Sequence, residues 1–166
     1  MRKILFKAKR VDNGEWVEGF YEQTYTYDTN KQLHRILWND EQTKTAFCAD
    51  IIPETLCEFT GLCDKNGKRI WENDIVLTQP FYDRPYSDKR KSKQFLGIVE
   101  YQTSTFNGNK FYPKQVYQGK WGLKYNEEHG KFVHFSWGDL WGCEVVGNRF
   151  DNPVLLAAER SADNEN

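Results

Sequence analysis

The sequence predicts an all-β domain, and three features carry that prediction. Aromatic residues make up 16% of the chain, as 6 Trp, 9 Tyr and 11 Phe, and aromatic side chains suit pleated, half-buried surfaces. Apolar residues recur with period two in several short segments. Turn-forming clusters of Asn, Asp and Gly separate those segments at short intervals. At 166 residues the chain is long enough to bury a core and is read as a single domain over 1–160.

Ile4, Phe6 and Ala8 alternate with Lys3, Leu5, Lys7 and Lys9, a half-buried strand with a basic outer edge. Asp12-Asn13-Gly14 turns the chain, and residues 15–21 return as the hairpin partner, with Tyr25 and Tyr27 continuing the period. Residues 33–38 and 45–52 read as two further strands, and Pro53 ends the second because it cannot donate to a central ladder. Asn66-Gly67 between Lys65 and Lys68 predicts a type I′ hairpin, which needs positive φ at both central residues. Trp71-Glu72-Asn73-Asp74 predicts a second tight bend, with Asn73 in the left-handed conformation.

Residues 78–94 show no period and read as one long irregular loop. Strand resumes over 95–101, Asn107-Gly108-Asn109 turns, and 111–117, 121–125 and 131–137 are three separate strand candidates. A loop over 126–130 joins the last two, and 138–142 turns into a final strand over 143–147. Asn152-Pro153 places an N-cap residue ahead of proline at the first helical position, so a short C-terminal helix follows. The polar tail 161–166 is expected to be disordered.

The charge balance, 23 basic against 24 acidic residues, gives no global attraction to nucleic acid or to an acidic membrane. Cys48, Cys57, Cys63 and Cys143 form no C-x-x-C pair and have no partnered histidines, so no metal or other cofactor is expected. No secretory pattern opens the chain, and nothing approaches the roughly 20 apolar residues of a membrane span. The reading is a cytoplasmic protein with reduced thiols and no membrane contact.

The stretch 59–76 is the densest in turn signals. Its Thr60-Gly61-Leu62, Asp64-Lys65-Asn66-Gly67-Lys68, Ile70, Glu72 and Asp74-Ile75-Val76 resemble the signature of the YopX family of phage and prophage proteins. Gly97-Ile98-Val99-Glu100-Tyr101 is similar to that family's G-x-V-x-aromatic strand. Glu144-Val145-Val146-Gly147-Asn148, Phe150, Asn152-Pro153 and Leu155-Leu156 resemble its closing block, and 6–10 with 16–19 resemble its start. The family usually carries glycine where Asn73 stands, and asparagine is the non-glycine residue that best keeps a positive φ. The resemblance implies a mostly β fold and a phage or prophage origin in the cytoplasm of a host cell. It implies no reaction.

A turn, Asp74-Ile75-Val76, a loop and then Gly97-x-Val99-x-Tyr101 is also how successive strands of SH3-like barrels read. The expected architecture is therefore an SH3-like, partly open barrel. It has an N-terminal β-hairpin extension over 1–52, a barrel core over 53–150 and the short C-terminal helix.

Glu72 and Asp74 invite a reading as paired catalytic carboxylates, but an aspartate at a turn more often accepts backbone N–H groups. Gly61, Asn66, Gly67, Glu72, Asn73, Asp74, Gly97, Gly147 and Pro153 are accordingly read as a structural motif. His34, His129 and His134 share no spacing, and Cys143 has no local nucleophile signature and reads as a structural thiol. No catalytic constellation is found, so the chain is expected not to be an enzyme. The favoured function is a protein-interaction module whose partner is another protein, a second copy included. The alternative is a nucleic-acid-binding module. It would use Phe81, Tyr82, Arg84, Tyr86, Lys89, Arg90, Lys91 and Lys93 in the basic, aromatic loop 81–94, where bases stack on rings and phosphates meet cations.

Overall fold

A computed structural model of the chain describes residues 4–78, 81–82, 92–94, 96–106, 115–124, 132–134 and 142–156. Among the described residues the protein is all-β, built from two antiparallel main sheets that do not close into a barrel, with a 3-10 turn at Pro53–Thr55 and a short helical turn at 153–156. It falls into two compact units, Met1–Phe59 and Thr60–Asn166.

The first unit is a meander. Strands β1 (Phe6–Lys9), β2 (Trp16–Tyr25), β3 (Gln32–Asn39) and β4 (Ala46–Asp50) lie in the order β4-β3-β2-β1. The strand β5 (Cys57–Cys63) begins in this unit by pairing Cys57 and Glu58 with Lys7 and Phe6 of β1. Each reversal has a local cause. Gly14 turns at φ +73°, and Pro53 opens a 3-10 turn, Pro53–Thr55, in which the Thr55 hydroxyl accepts the Lys9 N–H at 2.9 Å. The core is small. Ala8, Ile36 and Ile51 are its buried centre, with Phe6, Val17, Tyr21, Trp38 and Leu56 packed around them. Little burial is left for β4, whose Ala46, Phe47 and Cys48 are all exposed.

The second unit continues β5 into β6 (Arg69–Trp71), then β7 (Asp74–Leu77), β8 (Phe81–Tyr82), β9 (Ser92–Lys93), β10 (Leu96–Phe106), β11 (Gln115–Lys124), β12 (Phe132–His134) and β13 (Glu144–Asn148). Its main sheet runs β12-β11-β10-β7-β13. The strand β7 lies between β10 and β13, which explains its unbroken apolar run: Ile75 and Val76 are fully buried. Val76, Val99, Leu123 and Val145 from this sheet, with Cys143 just before β13, meet Ile70 of β6 in one core, with Leu62 and Trp121 at its margin.

Three expectations are corrected by this architecture. The 64–68 hairpin is not type I′. Only Gly67 has positive φ (+81°), and its N–H donates to the Asp64 carbonyl at 3.0 Å. Lys65 and Asn66 are thus the centre of a type I turn, and Gly67 makes the bulge that follows it. The reason is Asp64, whose carboxylate accepts the Asn66 N–H at 2.8 Å and holds that turn instead.

The stretch 78–94 is not wholly irregular. Strands β8 and β9 pair within it, Phe81 opposite Lys93 and Tyr82 opposite Ser92. Arg84, Tyr86, Lys89, Arg90 and Lys91 lie outside the described residues.

Finally, the separate strand candidates at 111–117 and 121–125 are parts of one strand, β11, from residue 115 onward. The change of register is taken up within β11 itself, where Gln118 and Gly119 together stand opposite Thr103 of β10. The turn expected at 107–109, the loop 126–130 and the tail 161–166 lie outside the described residues.

Candidate functional site

The motif 59–76 meets the closing block 143–156 through two buried aspartates. Asp64 directly follows β5, and its side chain accepts three backbone N–H groups. Two are local, from Asn66 at 2.8 Å and Lys68 at 2.9 Å to Oδ1. The third comes from Val145 in β13, at 3.0 Å to Oδ2. Lys65 reinforces the junction. Its N–H donates to the Cys143 carbonyl at 3.0 Å and its ammonium pairs with Glu144 at 2.6 Å.

Asp74 is 1% exposed and has both carboxylate oxygens occupied. Oδ2 accepts the Trp71 N–H across the turn at 2.9 Å, and Oδ1 accepts the amide Nδ2 of Asn148 at 3.0 Å. Asn148 passes the connection on. Its Oδ1 accepts the Phe150 N–H at 3.0 Å, and its own N–H donates to the Asn152 side chain at 3.2 Å. Asn152 therefore spends its side-chain oxygen on Asn148, while its carbonyl accepts the Leu155 N–H at 3.1 Å and starts the helical turn that Pro153 enters. Gly147 is needed for this closeness, since a Cβ there would stand 2.8 Å from the Asn152 Oδ1.

Asn73 has φ +64°, and the turn it makes is gripped from both sides. Its N–H donates to the Val99 carbonyl at 2.8 Å, its carbonyl accepts the Arg149 N–H at 3.0 Å, and its side-chain oxygen accepts the Arg149 guanidinium at 2.9 Å. Glu72 is half-buried in the same turn. Gly61 turns β5 at φ +85°, and Gly97 stands opposite Val76 in the β7–β10 ladder.

The electrostatics suit structural service. Burial pushes the Asp64 carboxyl up, but the N–H groups of Val145, Lys68 and Asn66 outweigh it and hold the carboxyl below its ordinary value of 3.8. It is an acceptor held ionised, the opposite of what a general acid needs. Burial, with the Asp64 charge added, pushes the neighbouring Cys143 thiol up to about 11, which makes it a poor nucleophile. His34 lies in the other unit, where its Nδ1 is 2.6 Å from the Tyr21 hydroxyl. Among the described residues no group of three His, Cys, Asp or Glu is placed to hold a metal ion.

Asp64 and Asn148 were not singled out from the sequence as site residues, although both stand in the blocks that carry the resemblance. A usable signal existed for Asp64: aspartate is favoured at the first position of a type I turn. None existed for Asn148, whose partner Asp74 lies 74 residues away.

Two predictions follow from this geometry. Asp64→Asn offers one acceptor oxygen where three N–H groups converge, and is expected to cost about 2 kcal/mol in urea unfolding at neutral pH. Because its folded pKa is lowered, Asp64 stabilises the fold fully above the unfolded value and loses that contribution as pH falls through the folded one. Wild-type stability should therefore drop below about pH 4, and the gap to Asp64→Asn should narrow there. At Asn73, glycine keeps the backbone conformation but loses the Arg149 contact, so Asn73→Gly should change stability by less than about 1 kcal/mol. Asn73→Ala should cost about 1–2 kcal/mol more than glycine does.

A YopX protein family profile matches residues 5–157. The crystal structure of protein EF1440 from Enterococcus faecalis is similar at 19% identity, with 94% of this chain and 99% of that chain covered and a TM-score of 0.47. No curated protein matches. The match over 5–157 takes in the motif, the β10 strand and the whole closing block, and the chain belongs to the YopX family.

Proposed function

We propose that this chain is a non-enzymatic protein-interaction module, encoded by a phage or prophage and acting in the cytoplasm of its host. The observation that carries the reading is the outer edge of β4. That strand ends its sheet, and Ala46, Phe47 and Cys48 are exposed along it. An apolar edge strand with open backbone groups is a template for a partner strand, and soluble proteins usually blunt such edges. The commitment of Asp64 and Asp74 to backbone and amide donors supports a scaffold in place of a catalytic pair. Family membership supports the origin, and the four free cysteines, two of them exposed, suit a reducing compartment. Among the described residues no helix is long and apolar enough to cross a membrane.

A second reading, binding of single-stranded nucleic acid, draws support from the β8–β9 ribbon. Its register sets the Phe81 position opposite Lys93, an aromatic position beside a cationic one. The net charge of −1 weighs against it.

One pair of measurements tests both readings. Affinity capture from phage-infected cells, with a differently tagged second copy present, should recover a protein partner with the wild-type chain and lose it with Cys48→Pro. Equal recovery with both chains overturns the edge as the binding surface. Fluorescence anisotropy with a single-stranded oligonucleotide should show no salt-dependent binding. Binding that weakens when Lys89, Arg90, Lys91 and Lys93 are replaced by glutamine would establish the second reading instead.

A further inference from the structure

We infer that the partner of the β4 edge is a second copy of this chain, paired antiparallel about a two-fold axis through Phe47. The inference rests on the interaction reading above and adds the occupant and the register.

The β3–β4 ladder shows which backbone groups are free. The Asp40 N–H donates to the Thr45 carbonyl at 2.9 Å, and the Ile51 N–H to the His34 carbonyl at 2.9 Å. Bonding alternates along an antiparallel pair, so Thr45, Phe47, Ala49 and Ile51 spend their backbone groups on β3. Ala46, Cys48 and Asp50 point theirs outward. The Asp50 carbonyl is already taken by the Val11 N–H at 3.0 Å, and Lys44, with φ +56°, bends the chain out of the strand before Thr45. What remains free is the pair Ala46 and Cys48.

Only one symmetric register uses those two residues and nothing else. Centred on Phe47, it sets Ala46 opposite Cys48 of the copy and Cys48 opposite Ala46, forming four backbone hydrogen bonds. Centred on Cys48 it would require the occupied Asp50, and centred on Ala46 it would require the bent Lys44.

The side chains suit the same register. Phe47 stacks on Trp38, with ring centroids 5.6 Å apart and planes at 20°. Opposed across the axis at a non-hydrogen-bonded position, two such pairs make a cluster of four rings on one face. Charge agrees as well. Glu22, Arg35 and Asp50 stand opposite one another across β2, β3 and β4, acid, base, acid, and Arg35 bonds Asp50 at 2.8 Å. The same two-fold brings Lys44 of the copy, just outside the ladder, toward the Asp50 end of the strand, a base near the acid that ends this row. A cavity of about 410 Å³ beside that position, lined by Asp12, Cys48 and Asp50 with Arg10 and Arg35, has room for the lysine.

The test is sedimentation velocity of the full chain from micromolar to millimolar concentration. A reversible monomer–dimer equilibrium is expected. Cys48→Pro removes one outward N–H without touching the β3 ladder, and should raise the dimer dissociation constant at least about tenfold while the circular dichroism is unchanged. Should Cys48→Pro fail to fold, Lys44→Glu is the second variant. It alters an exposed loop position and should weaken the dimer several-fold. Phe47→Cys with Cys48→Ser should form an intermolecular disulfide under mild oxidation, since Cα atoms of a non-hydrogen-bonded pair stand about 4.5 Å apart. A strict monomer up to millimolar concentration overturns the inference, as does a dimer indifferent to all three changes. A strict monomer that still captures a different protein through β4 leaves the interaction reading standing, whereas one that captures nothing removes both.

Discussion

Two buried aspartate side chains, each reaching across most of the second unit, hold the family motif to the end of the chain. Asp64 takes the Val145 N–H and Asp74 takes the Asn148 amide, over separations of 81 and 74 residues. Local turns alone would leave β6 and β7 as a hairpin with a bend. The aspartates convert those turns into anchor points. A carboxylate accepts without donating, so each can serve a turn N–H on one oxygen and a distant donor on the other. Taken from water, such a group costs free energy unless its lone pairs are filled, and both are filled here by groups that the fold itself presents. The order of dependence runs from turn to aspartate, and from aspartate to the closing strand. From there the Asn148–Asn152 relay carries it to the helical turn.

This dependence explains why a stretch dense in polar residues resembles an active site in sequence and behaves as a joint in three dimensions. Catalytic acids need an adjustable proton. Asp64 has its proton removed by three amides, and Cys143 beside it keeps its own up to about pH 11. Those are opposite extremes of ionisation at neighbouring positions, and neither group exchanges a proton near neutrality.

Much of this fold was legible beforehand because its causes are local. Period-two alternation marks β1 to β4, the Asn73 bend reads from the residue most tolerant of positive φ, and the Pro53 stop from a missing donor. What was not legible depends on a distant partner or on competition between local signals. Asn66-Gly67 alone favours a type I′ turn, but Asp64 two residues earlier captures the Asn66 N–H and the turn changes type. The split of β11 into two strand candidates fails because the break in its period is a bulge at Gln118 and Gly119, across which β11 stays paired with β10. At the candidate site, Gly147 is recognisable as a fixed glycine, yet its reason, the Asn152 oxygen 2.8 Å from a would-be Cβ, exists only after folding. The β4 edge was foreshadowed less well. The strand read with a basic outer edge is β1, and it is an inner strand with β2 and β5 on its two sides.

The open edge of β4 is limited at both ends, and that limit decides what it can build. A long free edge recruits strand after strand and leads to open-ended assembly. On β4 the Val11 N–H has closed one end and the left-handed Lys44 the other, leaving two residues with outward backbone groups. In the two-fold pairing we infer, two such residues separated by one would pair with a single copy of themselves and then be used up. Such a two-fold contact would consume the same edge on both molecules and present none to a third, so association would stop at two. The first unit needs such a constraint more than most. With three fully buried apolar residues at its centre, it has little stability to set against misassembly, and shortening the edge guards it without enlarging that core.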